Sequence, residues 1–361
     1  MADKKKPGKK KLLILIAAGV LILLLAGAWF GSAAGYNSFF GKRFEIYEPT
    51  KARAEYFDGL EQVKYEIPSD KGQKLAGFLY SAGENQKGII ILAHGFGAGS
   101  SSYINCADYF AKRGYYVFAY DATGCEESEG ESLGGFPQGI IDLDRVITFV
   151  EESGNLPKLP IGLFGHSWGA YCVSAVAALH PEVKAIIACS GFNQADSLFR
   201  EEGKNIAGPL IDVLMPVIKL YERTRFGEYA AMTAEEGFAA TDAKIMIVHS
   251  TDDETVDPAI GYDIYYRNHK DDPRFTFIRY ENRGHNYLDT RTDYMDEVDE
   301  AFRQWVKTLD YDPDDEASTE RFVKDKAEYI RQNVDLKAWW AGRIDEELYA
   351  PYLAFLDEHV K

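Results

Sequence analysis

Six short, predominantly apolar runs constrain this chain more than any other feature. They lie at 88–93 (GIIILA), 115–120, 161–164, 185–188, 245–248 and 275–280. Runs this short and this apolar, best shown by GIIILA, are typical of strands buried on both faces. Helical stretches separate them, at 103–113, 140–152, 170–180 and 293–309. Strand–helix alternation of this kind implies an α/β fold, a mostly parallel sheet with helices on both faces. Residues 63–67 and 75–80 flank the polar turn 68–72 and predict a hairpin ahead of that pattern. Between the runs at 185 and 245 lies a longer interruption, about 194–242. It carries the apolar stretch 209–221 (PLIDVLMPVIKLY), which reads as a helical insertion. The C-terminal residues 311–361 are charged, have helical periodicity and hold Trp339, Trp340, Tyr349, Tyr352 and Phe355 for packing.

The N-terminus has a different character. Residues 12–30 (LLILIAAGVLILLLAGAWF) carry no charge and follow the lysines Lys4, Lys5, Lys6, Lys9, Lys10 and Lys11. Nineteen helical residues span about 28 Å, close to the ~30 Å hydrocarbon core of a bilayer. A transmembrane helix is expected, with the lysines cytoplasmic and the remainder of the chain extracytoplasmic. The alternative is a signal peptide cut near Ser32-Ala33-Ala34, which would release a secreted body; the apolar stretch exceeds the usual 7–15 residues of such a segment. The expected organisation is therefore 1–34 as a lysine-rich segment and membrane anchor, 35–60 as a connector, 61–310 as the α/β domain with its cap at 194–242, and 311–361 as a C-terminal helical extension. The formal net charge is −17, and because the first 34 residues hold six lysines against Asp3, the body stands at −22. Such a surface repels phosphate backbones and argues against nucleic acid as a partner. The four cysteines (Cys106, Cys125, Cys172, Cys189) form no CxxC pair and no zinc-type spacing. Cys172 and Cys189 sit in apolar contexts, and a Cys106–Cys125 disulfide would need a geometry that sequence does not establish.

Chemistry concentrates where the apolar runs end. Gly165-His166-Ser167-Trp168-Gly169 matches G-x-S-x-G and lies between the strand-like IGLF and the helix-like AYCVSAVAALH. A strand–turn–helix setting is what this motif needs to expose a serine nucleophile on a sharp turn. A serine hydroxyl requires a base to take its proton, and the base works best when a carboxylate orients it. Downstream, in the order serine, acid, histidine, come the acidic loop Asp252-Asp253-Glu254-Thr255-Val256 and the loop Asn282-Arg283-Gly284-His285-Asn286. Of seven histidines only His285 combines that position with a Gly-containing loop after an apolar run. The expected triad is Ser167, Asp253 and His285. Asp252, the other candidate acid, is expected to be solvated or to cap the helix starting near Pro258. The oxyanion donors are expected to be the backbone amides of Phe96, in the loop His94-Gly95-Phe96-Gly97, and of Trp168. Gly95-Phe96-Gly97-Ala98-Gly99-Ser100 also looks like a dinucleotide fingerprint, but Ser100 stands where that pattern wants Gly or Ala. No organic cofactor and no metal is expected.

These residues resemble the α/β-hydrolase superfamily, in particular its serine-hydrolase branch of monoacylglycerol-lipase-like and serine-aminopeptidase-like members. The likeness covers about 63–309. It includes the oxyanion loop, G-x-S-x-G, the Asp-x-x-Val of Asp253 to Val256, and Gly284-His285. Asp121 to Gly130 looks like that branch's D-x-R-G-x-G-x-S-x-G segment, with Thr123 in place of its arginine and Glu126 in place of a glycine. The resemblance implies an α/β-hydrolase fold, with the 194–242 insertion as a cap over the site. With a complete set of triad candidates, the expected activity is hydrolysis of a small-molecule carboxylic ester through an acyl-serine. Amide or peptide hydrolysis is the alternative within the same chemistry, and a retired, membrane-held binding protein the alternative outside it.

Overall fold

The computed structural model describes residues 9–84, 87–288 and 290–361; Lys4, Lys5 and Lys6 of the lysine-rich segment lie outside the described residues. The chain opens with a single helix, α1 (Lys9–Phe40), in which the apolar stretch is exposed along its length. A hairpin, β1 (Glu61–Pro68) and β2 (Lys74–Ser81), leads into an alternating succession. It comprises β3 (Ile89–Ala93), α2 (Ile104–Ala111), β4 (Tyr116–Tyr120), α3 (Pro137–Glu152), β5 (Ile161–His166), α4 (Trp168–Ala175) and β6 (Ala185–Cys189). Three helices of the insertion follow, α5 (Ala195–Ala207), α6 (Leu210–Phe226) and α7 (Ala234–Ala240), then β7 (Lys244–Ser250), α8 (Tyr262–His269) and β8 (Phe275–Tyr280). Four helices close the chain: α9 (Thr292–Val306), α10 (Thr319–Asn333), α11 (Leu336–Ala341) and α12 (Glu346–His359).

The eight strands form one sheet in the order β1-β2-β4-β3-β5-β6-β7-β8. β1 with β2 and β2 with β4 are antiparallel; β4 through β8 run parallel. Side chains alternate along a strand, so β3 sends Ile89, Ile91 and Ala93 into one core and Ile90 and Leu92 into the other. Both faces are covered, as the predominantly apolar runs predict.

Two boundaries differ from the sequence expectation. The connector does not begin at 35, because α1 continues to Phe40: Tyr36 and Phe40 are buried among rings of the domain, with Phe40–Phe136 centroids 4.9 Å and Tyr36–Phe199 centroids 5.5 Å apart. In the insertion, α5 packs on α6 and α6 on α1. α7 rests on the core, where Phe238 is fully buried and a Cβ at Gly237 would lie 1.9 Å from the Ser174 carbonyl oxygen. The C-terminal extension is helical and packs through the aromatic residues that the sequence offers for it. Tyr349, Tyr352 and Leu356 of α12 are fully buried in the core that holds Ile90, Leu92 and Phe164, and Tyr352 donates to the Leu288 carbonyl at 2.9 Å. The cysteines are free and buried, Cys106 and Cys125 in the cores on opposite faces of the sheet.

The α1–cap contact contains one titratable pair. Tyr36 Oη donates to Glu222 Oε1 at 2.7 Å, and burial pushes the Glu222 carboxyl from 4.5 up to about 7. The folded chain then binds this proton more tightly than the unfolded chain, so the contribution to stability falls as pH rises across that interval. Glu222→Gln should therefore gain on the order of 1–3 kcal/mol relative to wild type at pH 8 but not at pH 4.5. Denaturant titrations at the two values test this; a pH-independent difference would contradict it.

Candidate active site

The loops at the C-terminal ends of β3, β5, β7 and β8 converge on one cavity of about 420 Å³, lined by Gly95, Phe96, Tyr103, His166, Ser167 and His285 among others. Ser167 adopts φ 57°, ψ −119°, a conformation that costs a non-glycine residue of order 1–3 kcal/mol. The surrounding sequence leaves no alternative. A Cβ at Gly165 would stand 2.3 Å from the Gly169 carbonyl oxygen, and one at Gly169 2.1 Å from the Ala93 carbonyl oxygen, so only glycines permit this tight strand-to-helix turn. The Ser167 amide donates to the Cys189 carbonyl at 2.8 Å, fixing the turn to β6.

His285, after β8, presents Nδ1 to both oxygens of Asp253, at 2.8 and 3.0 Å. This leaves Nε2 as the nitrogen available to a serine. Asp253 is buried and receives three further contacts. The amides of Thr255 and Val256 donate to Oδ1 at 3.0 and 2.9 Å, and His249 Nε2 lies 3.1 Å from Oδ2 while also meeting the Val256 carbonyl at 2.9 Å. Burial pushes this carboxyl up, but hydrogen bonds from His249 and His285 outweigh it and hold Asp253 well below the usual carboxylate range. His249, seen in the sequence only as a neighbour of the candidate acid, thus holds the Asp253 carboxylate in place.

Asp252 is exposed, as expected of the carboxylate that does not face His285. It does not cap the helix near Pro258; Asp257 does, accepting from the Ala259 amide at 2.8 Å. Asp252 Oδ1 instead accepts the amides of Arg283 and Gly284, each at 3.2 Å, and the Ser250 hydroxyl at 2.5 Å, tying the acid loop to the histidine loop.

Phe96 lines the same cavity, and Trp168 follows Ser167 at the first turn of α4. A Cβ at Gly95 would sit 3.5 Å from Ser167 Cβ, so the β3 loop passes directly beside the serine. That loop is clamped from behind. His94 Nδ1 contacts the Gly95 carbonyl at 2.8 Å and His94 Nε2 accepts the Ala122 amide at 3.0 Å; burial pushes its pKa down to about 4, so it is neutral. Asp121, which ends β4, accepts the amides of Ser100 and Glu127 at 2.7 and 3.1 Å and is therefore not free to bind a ribose.

A second connection was not legible in the sequence. The Gly95 amide donates to Tyr103 Oη at 3.1 Å, Tyr103 Oη meets His166 Nδ1 at 2.9 Å, and His166 Nε2 meets the His285 carbonyl at 2.9 Å. Burial and the neighbouring His285 push His166 down to about 4, and a neutral imidazole protonated at Nε2 satisfies both partners. The loop from Asp121 to Gly130 has its own support from outside. Arg43, beyond the end of α1, donates to the carbonyls of Glu126, Ser128 and Gly130 at 2.7, 3.0 and 2.5 Å. Glu126 has φ 42° and pairs with Lys51. Away from the cavity, Glu151, His180 and Glu182 gather ligand-type atoms, but both His180 nitrogens are engaged, by Asp144 at 2.9 Å and Glu182 at 3.2 Å.

A family model described as serine aminopeptidase, S33, matches residues 84–229. Rat (Rattus norvegicus) monoglyceride lipase is 28% identical over 137 residues, which is 37% of this chain and 45% of that protein. The monoglyceride lipase homolog of Monkeypox virus is 30% identical over 115 residues, 32% of this chain and 42% of that one. The chain thus spans less than half the length of these curated relatives in the matched regions. Among solved structures, an esterase of Pyrococcus furiosus aligns with TM-score 0.51 and 18% identity over 69% of this chain and 92% of that one. Acetyl xylan esterase 1 of a Thermoanaerobacterium species aligns with TM-score 0.50 and 16% identity over 67% and 83%. At these identities the structural likeness establishes the fold.

Proposed function

We propose that this chain, a member of the α/β-hydrolase superfamily, hydrolyses carboxylic esters through an acyl-serine formed on Ser167. One observation carries the reading: Ser167, on its strained turn, shares a cavity with a histidine whose far nitrogen is bound by a buried carboxylate. In the mechanism, Ser167 Oγ attacks the ester carbonyl while its proton passes to His285 Nε2. Asp253 holds the Nδ1–H tautomer and stabilises the imidazolium that forms. The oxyanion lies between the amides of Phe96 and Trp168, where donors aimed at developing charge contribute most. Collapse breaks the C–O bond, and the leaving alkoxide takes the proton from His285. Water then attacks the acyl-serine, with His285 again as base.

Two relatives named monoglyceride lipase and two structural neighbours named esterase favour an ester over an amide; the S33 description keeps the amide as the second reading. A fluorophosphonate should label Ser167, and p-nitrophenyl esters should turn over faster than aminoacyl p-nitroanilides. Faster amide turnover would favour the second reading, and no labelling at all would favour a retired site.

The 32-residue helix α1, with mean hydropathy 2.8 in its apolar window and none of that window buried, fits a membrane anchor that keeps the lysines cytoplasmic and the hydrolase domain extracytoplasmic. Protease added to intact spheroplasts should digest the domain; protection until lysis would reverse the topology. Mature protein beginning near Gly35 would instead mean signal cleavage.

A further inference from the structure

The cavity at Ser167 does not end at the catalytic loops. Phe39, Phe96 and Glu202 on its wall also line a second cavity, of about 460 Å³, between α1 and the cap helices α5 and α6. From the α1 side its wall includes Gly31, Gly35, Tyr36, Ser38 and Phe39; from the cap side it includes Phe199, Ile211, Leu214 and Ile218. Lys42 and Glu202 are the charged residues of that lining. The groove reaches Gly31, one residue beyond Phe30, which is 71% exposed at the end of the apolar stretch. A mostly apolar channel therefore leads from the nucleophile along the helix toward the segment read as membrane-embedded.

We propose that the last three turns of α1 form one wall of an acyl-binding groove, occupied by the acyl chain of an ester drawn from the bilayer, its carbonyl at Ser167 and its tail running back along α1. This rests on the ester-hydrolase reading above. The anchor helix would then set chain-length specificity as well as tether the enzyme. The physical basis is burial of methylenes, each worth up to about fourfold in kcat/KM when the chain finds an apolar wall. The contact is held in place: Tyr36 and Phe40 are buried, Tyr36 bonds Glu222 at 2.7 Å, and Trp29 packs on Tyr221 of α6 at 5.6 Å.

Gly35 offers a direct test, because a Cβ built there meets nothing within 4 Å, so a larger side chain would occupy the groove. With the full-length chain in lipid nanodiscs, kcat/KM for p-nitrophenyl acetate, butyrate, octanoate and decanoate should rise with length in wild type. Gly35→Leu should lower the decanoate-to-acetate ratio by at least about tenfold, as exclusion of two methylenes would. A ratio within about twofold of wild type would overturn the proposal. A second measurement does not depend on that variant. All four native cysteines are buried, so Ser38→Cys introduces a single exposed thiol on the groove wall. Attaching a dodecyl phosphonate to Ser167 should slow its reaction with a maleimide about tenfold relative to an ethyl phosphonate; equal rates would overturn the groove. If neither phosphonate attaches to Ser167 and no ester turns over, the activity itself is misassigned. Turnover with an unshifted length profile removes only the groove.

Discussion

Ser167→Ala is expected to lower kcat/KM for activated esters by at least about a thousandfold, with fluorophosphonate labelling abolished and the thermal transition retained. The size follows from what is lost: without Oγ there is no acyl-enzyme, and only binding and the oxyanion donors remain to assist water. The fold should not suffer. The hydroxyl contributes little to packing, the turn is fixed through the main chain by the Ser167 amide on Cys189 and by the glycine contacts at 165 and 169, and alanine removes only one atom. The turn is strained for alanine as for serine, so the variant keeps that cost without a compensating gain. Near wild-type hydrolysis by the purified variant would show that another group carries the chemistry.

What the sequence made legible, and what it did not, divides along contact range. The parallel strands were readable because each is a predominantly apolar run, and β3 through β8 follow those runs within one or two residues. Ser167, Asp253 and His285 were readable because each sits just past a run, where this topology gathers loop ends. Contacts between distant segments leave no such periodic trace. Arg43 reaches carbonyls more than eighty residues away, and nothing about an arginine in a connector announces that. Tyr103 and His166 become partners only once β3 and β5 pair and bring their loops together. The continuation of α1 through Phe40 depends on rings at Phe96, Phe136 and Phe199, so residues 35–40 alone read as connector. Tyr349 and Tyr352 of α12 were visible as packing residues, but not which face of the sheet they cover, the one holding Ile90, Leu92 and Phe164.

The sharpest discrimination lies between two adjacent carboxylates. Asp253→Asn is expected to lower kcat by about 10³–10⁴-fold, and Asp252→Asn by less than about tenfold. In the wild type, Asp253 Oδ1 accepts the amides of Thr255 and Val256, while Oδ2 faces His285 Nδ1 and His249 Nε2. An asparagine would keep its carbonyl oxygen on the two amides and so direct its NH₂ at the imidazoles. His285 would then meet a donor at Nδ1, the proton would move to Nε2, and that nitrogen could no longer accept the serine proton. His249 Nε2, 3.1 Å away, would lose its charged acceptor as well. Asp252 differs in kind. Its contacts to the Arg283 and Gly284 amides and the Ser250 hydroxyl all converge on Oδ1, which an asparagine carbonyl can replace. The histidine loop should therefore stay in place, whereas Asp252→Ala, which removes that acceptor, should loosen it and cost more than Asp252→Asn. Single-turnover kinetics on a p-nitrophenyl ester separate the acylation step from deacylation for all three variants. A reversed ranking of the two asparagine variants would transfer the role of acid to Asp252, and equal small losses would leave His285 without a carboxylate partner in catalysis.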